Sequence, residues 1–415
     1  MPPRDAAISP VGWIEPLPVS LTLGGGLFLV SSCLAPIEIL LYGSFTVYDL
    51  VTAALFVLAL GRGRLPLPSA GILAAGLLFL FFALLSTVRS SHPDESLTQV
   101  LQYLFILFVQ IPVVLVFTRS RSMVRAGLIA FMLGTLVGIA GAFLFPQQVW
   151  AGRVRALFTE SPNRLGYPVA YVAPFLCWFL LERWRAGRGR VLTALGGAAF
   201  AYLMLWALGA SGSRGAAVST IVGLVVFLSL RSGLSLRSAT LARLAVALLT
   251  VSLCGFLLYR TDHFPRTLKE RIDRTLAAEH ALVQDRTMLA VAGWRAFQES
   301  PLLGVGLDNF RYVGDRYLPT VTQQLPHNLW VQLLVHTGLF GTLAFLGIIV
   351  CWFWTLLRAQ SRERTGVERE LLWAFIASMG AILTIFLFIP VLIQRQYWWV
   401  FGLGLSAARG KEASP

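Results

Sequence analysis

Residues 329–357 are LWVQLLVHTGLFGTLAFLGIIVCWFWTLL, an apolar run that contains no Asp, Glu, Lys or Arg. A helix needs about 20 mostly apolar residues to cross the hydrocarbon core of a bilayer, because each residue adds about 1.5 Å. This run is therefore long enough to span a membrane, and the same window moved along the chain gives about twelve spans in all. The predicted spans lie near 19–35, 44–60, 69–87, 98–118, 124–145, 166–182, 191–209, 215–230, 240–259, 328–357, 371–390 and 396–407.

The composition agrees with a polytopic membrane protein. Of the 415 residues, 56% are hydrophobic and 13% are charged, and the mean hydropathy is +0.71. A soluble chain of this length carries about 25% charged residues, so a single soluble core, disorder, collagen and coiled coil are excluded. We predict an all-α polytopic fold. Cysteines 33, 177, 254 and 351 all lie in apolar runs and are expected to be small buried hydrophobic residues.

The net charge of +14 would suggest nucleic-acid binding in a soluble protein, but in a membrane protein the positive-inside rule accounts for part of it. Alternate short loops carry arginine or lysine at 61–64, 119–125, 183–190, 231–243, 358–369 and 409–411. We therefore place these loops and both termini in the cytoplasm and expect no nucleic-acid partner. The long segment 260–326 is then periplasmic, because long segments translocate regardless of charge.

Three parts follow: spans one to nine with short loops (1–259), the long periplasmic segment (260–326), and the last three spans with a cytoplasmic tail (327–415). Apolar residues recur every four positions from Phe264 to Leu276, which predicts an amphipathic helix. A second helix is predicted from Arg286 to Glu299, where Ser300-Pro301 ends it. A turn at 304–306 follows.

A polar break, GASGSRG at 209–215, separates two apolar runs on the predicted outer face. It places Arg214 at the start of a helix, where free backbone N–H groups and a guanidinium can bind a phosphate. The structural alternative is a tight turn with one snorkelling arginine.

Arginines on the outer face are not explained by anchoring. Arg153 and Arg155 lie in a segment, 150–158, that contains no acidic residue. An anionic substrate, a phosphate or pyrophosphate, is the better partner for them. In the long periplasmic segment, acidic residues can pair with arginines such as Arg271 and Arg274 on a helix surface.

His327 follows Pro326 and precedes the long apolar run, so we expect it at a helix start on the outer surface. A histidine there can serve as a general base, although a polar cap at the membrane boundary is the structural alternative. His336 is nine residues further on and is expected to be a satisfied polar residue on the opposite helix face. The sequence shows no Asp-x-Asp pair on the outer face, no Walker loop and no metal-spaced His/Cys cluster, so a metal-free reaction without cofactor is favoured.

Four motifs resemble a known family. His327-Asn328, nine residues, then Gly338-Leu339-Phe340-Gly341 resembles the signature of the bacterial O-antigen ligases. The stretch WRAFQESPLLGVG at 294–306 is similar to the tryptophan–proline–GxG stretch of the wider ligase and polymerase superfamily. PNRLG at 162–166 and SRG at 213–215 resemble two further superfamily marks, and together these motifs cover about 150–345.

The resemblance implies a GT-C-like membrane glycosyltransferase in the bacterial inner membrane, with its active site facing the periplasm. It implies a polysaccharide on undecaprenyl pyrophosphate as donor and a sugar hydroxyl of lipid A–core as acceptor. Membrane lipids are the third expected partner. His327 is then the candidate base of a metal-independent, inverting transfer, with Arg214 and Arg286 as pyrophosphate-site arginines. The substrate-binding candidates are Arg153, Arg155, Asn163, Arg164, Arg295 and Asn328.

Two alternatives stay open. A polysaccharide polymerase of the same superfamily uses the same donor with a second lipid-linked repeat as acceptor. The polymerase pattern of an outer-loop arginine with a glycine sixteen positions on is not met by Arg153, Arg155, Arg286 or Arg295. A transporter or flippase would place ionisable groups near the membrane midplane, whereas the predicted spans here are nearly free of charge.

Overall fold

The computed structural model is mostly helical, as predicted. It describes residues 23–37, 39–42, 45–61, 65–148, 153–156, 159, 161–187, 189–232, 287–317, 325–363, 366–390 and 392–409. Among these residues, seven helices are long and apolar enough to cross a membrane, and two shorter apolar helices accompany them. A polytopic membrane protein is therefore confirmed, while the count of twelve spans stays a prediction.

The helices in chain order are α1 (Leu23–Leu34), α2 (Val47–Leu60), α3 (Ala70–Thr87), α4 (Pro93–Phe105), α5 (Ile111–Phe117), α6 (Arg121–Leu144), α7 (Asn163–Ala186), α8 (Arg190–Ser211), α9 (Arg214–Arg231), α10 (287–299), α11 (Phe310–Tyr317), α12 (Leu329–Arg362), α13 (Gly366–Ile385) and α14 (Arg395–Ala408). A π-helical segment, Ile106–Gln110, joins α4 to α5 into one continuous span.

Eleven of the predicted spans coincide with helices, counting α4, the π segment and α5 as one. The ninth predicted span, 240–259, and the amphipathic helix from Phe264 to Leu276 lie outside the described residues. The helix predicted to end before Ser300-Pro301 is present as α10.

Two short hairpins depart from the all-α prediction. Strands β1 (Leu40–Tyr42) and β2 (Phe45–Thr46) pair antiparallel, as do β3 (Gln147–Gln148) and β4 (Val154–Arg155). Each lies in a short loop between two helices. Pairings of two or three residues leave no periodic pattern in the sequence, so the hydrophobic window could not reveal them.

Helix α12 is broken near its start. Gly338 has φ +65° and ψ −167°, a conformation that is essentially restricted to glycine. The break divides α12 into a short first segment, 329–337, and a long second segment, 339–362. At about 1.5 Å per residue the second segment alone covers the roughly 30 Å of a hydrocarbon core, so the first segment lies at the membrane boundary.

The loop after α10 fills this break. The amides of Val305 and Gly306 donate to the carbonyl oxygens of Val335 and His336, at 2.8 and 3.2 Å. In return, the amide of Leu339 donates to Pro301 O at 2.8 Å. The loop therefore satisfies backbone groups that the broken helix leaves open, as a membrane-embedded chain requires. The predicted turn at 304–306 thus supplies hydrogen-bond partners for the broken part of α12.

The helices pack around aromatic side chains. Trp399 of α14 stacks on Phe131 of α6 with ring centroids 4.6 Å apart, and Phe28 of α1 lies on the same tryptophan at 6.4 Å. Helix α12 packs along α3, and α13 packs against α7 and α9. The last three helices therefore tie the first half of the chain to the second.

One end of the bundle is held by arginine–glutamate pairs, and we call it the paired end. Each pair joins two helix ends from the loops predicted to be cytoplasmic. The pairs are Arg121–Glu363 (2.7 Å), Arg125–Glu368 (2.5 Å), Arg125–Glu182 (3.4 Å), Arg185–Glu370 (2.9 Å) and Arg231–Glu370 (3.3 Å). The predicted grouping of these loops at one end is seen, and their side of the membrane stays a prediction.

We predict that Gly338→Ala destabilises the protein by about 3 kcal/mol or more, because alanine is strained at this φ and ψ and its Cβ would overlap the backbone of Leu302. The measurement is the thermal unfolding midpoint of the detergent-purified protein, followed by size exclusion. Gly347→Ala in the same helix is the control, since its Cβ would meet Ala75 at an ordinary 3.4 Å. Equal midpoints for the two variants would contradict the assigned role of the break.

Candidate functional site

The turn between α8 and α9 places Arg214 as predicted. Helix α8 ends at Ser211, Gly212 follows with φ +61°, and the Ser213 hydroxyl caps α9 by accepting from the Ala216 amide at 3.3 Å. Arg214 is the first residue of α9 and is exposed. Within the described part of the chain, its guanidinium makes no hydrogen bond or ion pair. A cation with no partner among the described residues thus lies at a helix N-terminus, where the helix dipole also attracts anions.

Arg153 connects this turn to the start of α7. Its Nε donates to Ser211 O at 2.5 Å, and its Nη2 donates to Asn163 Oδ1 at 2.6 Å. Three of the predicted site residues, Arg153, Asn163 and Arg214, therefore lie at the same end of the bundle, opposite the paired end.

Two glycines, Gly166 and Gly215, allow close contacts that fix these helix starts. A Cβ on Gly166 would lie 2.6 Å from Ser211 Oγ, so α7 approaches the α8–α9 turn as closely as backbone allows. A Cβ on Gly215 would lie 2.8 Å from Cγ of Phe388, in the turn after α13. The glycines of the PNRLG and SRG motifs thus act through packing.

The start of α12 joins the same group of helix ends. The Leu329 amide donates to Phe386 O at 2.8 Å, two residues before the Phe388 side chain that packs on Gly215. The turn at 386–388 therefore contacts the starts of both α9 and α12. We call the residues 161–166, 211–216 and 325–330 the three-helix site.

His327 is exposed, but it is not the helix cap. Asn328 has that role: its Oδ1 accepts from the amides of Trp330 and Val331, at 2.9 and 3.3 Å, and α12 begins at Leu329. The capping function considered for His327 therefore belongs to its neighbour. The imidazole of His327 lies on the surface beside the first turn of α12.

The three-helix site contains no acidic residue. None of the segments 161–166, 211–216 and 325–330 includes Asp or Glu, whereas they hold Arg164, Arg214 and His327. The paired end shows the opposite arrangement, with glutamates bound to arginines. A site with basic side chains and no acid at these helix starts is suited to an anion such as a phosphate or pyrophosphate.

The other predicted arginines have different surroundings. Arg155 donates from Nε to Gln147 Oε1 within the β3–β4 hairpin, at 2.9 Å. Arg164 is half-buried in the first turn of α7. Arg286 lies outside the described residues.

Arg295 belongs to a small unit formed by α10 and α11. Its Nη1 donates to Tyr317 O at 3.1 Å, and the Tyr317 hydroxyl donates to Glu299 Oε2 at 2.7 Å. Burial and the bond to Glu299 raise the pKa of Tyr317 to about 12, so the phenol keeps its proton near neutral pH. The structure thus gives Arg295 a role in joining two helices, apart from the three-helix site.

The tryptophan stretch supports α12 from outside. Leu289, Ala292 and Ala296 of α10 form a buried cluster with Phe310 and Val335. Trp294 lies on the exposed face of α10 and packs on Phe297, with ring centroids 5.2 Å apart. Helix α10 therefore packs on the first segment of α12. That segment begins two residues after His327.

The expectation that His336 is a satisfied polar residue is half wrong. It is buried, and its Nδ1 accepts from the Asp308 amide at 3.2 Å, but its Nε2 has no hydrogen-bond partner among the described residues. Asp308 also pairs with Arg311 at 2.6 Å. Burial raises the pKa of the Asp308 carboxyl, and the bond and charge of Arg311 act in the opposite direction.

A buried ion pair was not predicted. Arg395, at the start of α14, donates from Nε to Asp49 Oδ1 at 2.6 Å, and both side chains are buried. Asp49 also closes a capping box with Thr46 at the start of α2. A lone acid in the predicted span 44–60 was the available signal, since an intramembrane charge requires a partner.

Among the described residues, no group of three or more His, Cys, Asp or Glu side chains converges to hold a metal ion. The metal-independent reaction stays a prediction.

Comparison with known proteins identifies one family. The family model described as O-antigen ligase matches residues 199–346. No curated protein matches the chain. The matched range contains Arg214, α10, His327 and the break at Gly338, and it agrees with the resemblance predicted from the motifs.

We predict that Asn328→Ala lowers stability by about 1 kcal/mol, because the cap of α12 is lost. Asn328→Ser should keep the wild-type unfolding midpoint, since a serine hydroxyl can accept the same bonds. Thermal unfolding of both variants is the measurement. An alanine variant as stable as wild type would contradict the capping role, and a stable serine variant that fails in transfer would assign substrate binding to the amide.

Proposed function

We propose that the chain is an O-antigen ligase, because the family model described as O-antigen ligase matches residues 199–346 and the motifs resemble that family. In this proposal it transfers a polysaccharide from undecaprenyl pyrophosphate to a sugar hydroxyl of lipid A–core. The reaction takes place at the periplasmic face of the bacterial inner membrane. The observation that carries the proposal is the acid-free three-helix site, where the exposed Arg214 and His327 lie at two helix starts joined by one turn.

The donor's pyrophosphate binds at the start of α9. Arg214 supplies a guanidinium that has no partner among the described residues, and the first turn of α9 adds backbone N–H groups. The lipid tail lies along the apolar helices. Arg286 is proposed as a second pyrophosphate ligand from the family resemblance.

Transfer then proceeds by a single displacement. The acceptor hydroxyl attacks the anomeric carbon while the bond from that carbon to the pyrophosphate oxygen breaks, and the anomeric configuration inverts. His327 takes the hydroxyl proton and becomes an imidazolium. The electron pair of the broken bond leaves on the pyrophosphate, where Arg214 stabilises the developing charge.

Arg153 is proposed as a positioning residue. Its bonds to Ser211 O and Asn163 hold the α8–α9 turn against the start of α7, which fixes the orientation of Arg214. Arg155, Asn163 and Arg164 lie in or next to this region and are proposed to contact the glycan or its pyrophosphate. The bond from Arg295 to Tyr317 O favours a structural role for that arginine.

We predict that Arg214→Ala lowers the transfer rate by about 10²–10³-fold, as expected for removal of one group that stabilises transition-state charge. His327→Ala should lower it by about 10²–10⁴-fold, as expected for loss of a general base. The measurement is transfer by detergent-purified protein supplied with lipid-linked glycan and lipid A–core. Both side chains are exposed, so unfolding midpoints should not change.

Arg89→Gln is the matched control for the arginine, because Arg89 is exposed in the loop after α3 and outside the three-helix site. Its transfer rate should equal that of the wild type. Wild-type-like transfer by a folded His327→Ala protein would refute the assignment of the base. A rate for Arg89→Gln as low as that of Arg214→Ala would show that general surface charge, and no specific site, is responsible.

A polymerase is the second candidate, since the superfamily to which the matched family belongs includes both ligases and polymerases. A deletion strain separates the two. We predict that loss of this protein leaves long polymer on the lipid carrier together with bare core, as visualised on a lipopolysaccharide gel. Core capped with single repeats would instead identify a polymerase. Transfer in detergent without any gradient would exclude the transporter alternative.

A further inference from the structure

A second positively charged site lies at the paired end, far from the three-helix site. A cavity of about 670 Å³ opens there between the starts of α3 and α6 and the ends of α12 and α14. Its lining includes Trp354, Thr355, Arg358, Arg362 and Ser69. Arg121, Glu363 and Arg409 complete its charged wall.

The charges in this cavity do not balance. Arg121 is bound to Glu363 at 2.7 Å, which neutralises the one acid in the lining. Arg409 donates from Nη2 to the carbonyl oxygen of Leu67. Arg358 and Arg362 are exposed and make no hydrogen bond or ion pair with any residue that the structure describes. Among the described lining residues, Arg358 and Arg362 therefore contribute two positive charges that are not neutralised.

Arg358 and Arg362 are four residues apart on α12, so they lie on the same helix face. The guanidinium of Arg358 is held over the ring of Trp354, 4.3 Å from its centroid. This stacking orients one cation toward the cavity before any ligand arrives. Cys351 and Gly71 form a less polar part of the lining.

The cavity also lies at the depth of a lipid headgroup. Arg358 is about 30 Å along α12 from the break at Gly338, which equals the thickness of a hydrocarbon core. Trp354 and Leu357 are 57% and 45% exposed on this part of the helix, as expected for side chains that face lipid near the interface. A ligand of this cavity can therefore have its charge among the arginines and its acyl chains beside α12.

We propose that this cavity binds the phosphate group of an anionic phospholipid from the membrane. The ligand chemistry is a phosphate that carries net negative charge, held by Arg358 and Arg362. Basic pockets between membrane helices at the cytoplasmic side recognise such headgroups. The apolar, exposed surface at Trp354 and Leu357 favours a lipid as the source over a free phosphate in solution.

The test measures binding to the full-length protein purified in detergent. The probes are dioctanoyl phosphatidylglycerol, the zwitterionic dioctanoyl phosphatidylcholine, and inorganic phosphate, each titrated while the thermal unfolding midpoint is recorded. The variant is Arg358→Gln with Arg362→Gln. Each arginine near a membrane surface strengthens the binding of an anionic lipid by about 1 kcal/mol. Since the variant loses two arginines, we expect phosphatidylglycerol to bind it about 30-fold more weakly than wild type.

Arg190→Gln is the matched control. Arg190 is exposed at the start of α8, in a loop of the paired end, and its guanidinium also lies over a tryptophan, 5.7 Å from the Trp184 centroid, but it does not line the cavity. This variant should bind phosphatidylglycerol as the wild type does.

The outcomes separate the sources and decide the proposal. A rise of the midpoint with phosphatidylglycerol alone, lost in the double variant and kept in Arg190→Gln, supports a lipid site. An equal rise with inorganic phosphate, lost in the same variant, supports a site for a phosphate group and overturns lipid as its source. Equal responses of wild type and double variant to every probe overturn the site. If the double variant folds poorly, Arg362→Gln alone is compared with wild type by native mass spectrometry of retained lipids.

Discussion

The break of α12 at Gly338 is the constraint on which the site depends. Buried backbone N–H and C=O groups need hydrogen-bond partners, and the loop from Pro301 to Gly306 pairs with those that the break exposes. Because the same loop follows α10, the pairing fixes α10 against the first segment of α12. That segment begins two residues after His327. The position of the proposed base is therefore set by the backbone bonds of Val335 and His336, at the other end of the same short segment.

Arginine has opposite roles at the two ends of this bundle because its partners differ. At the paired end, glutamates at 182, 363, 368 and 370 bind arginines from neighbouring helices and hold helix ends together. At the three-helix site the helix starts carry no acid. Arg153 there donates to neutral oxygens of Ser211 and Asn163. At the paired end, these glutamates neutralise the arginines that hold helices together, while Arg358 and Arg362 of the same end are exposed and make no hydrogen bond or ion pair with the described residues.

Local sequence signals were sufficient for some features of the fold and site. The ends of α8 and α9 follow from Gly212 and Ser213, which act on their own helices, so the position of Arg214 could be predicted. The break at Gly338 could not, because it requires a partner loop more than thirty residues earlier in the chain to be placed first. The Asp49–Arg395 pair joins residues far apart in sequence for the same reason. His336 looked satisfied from its helix position, but its second nitrogen depends on what the folded loop offers.

The contacts of the motif residues show that these residues have different structural roles. Gly166 and Gly215 allow helix starts to approach one another, and Gly338 allows a turn of the backbone that other residues resist. Asn328 caps a helix. Arg214 and His327 differ from these, because both are exposed and neither contributes its side chain to a helix cap or a close packing contact. Most motif residues of this site thus position the backbone, whereas Arg214 and His327 present an exposed guanidinium and an exposed imidazole at two joined helix starts.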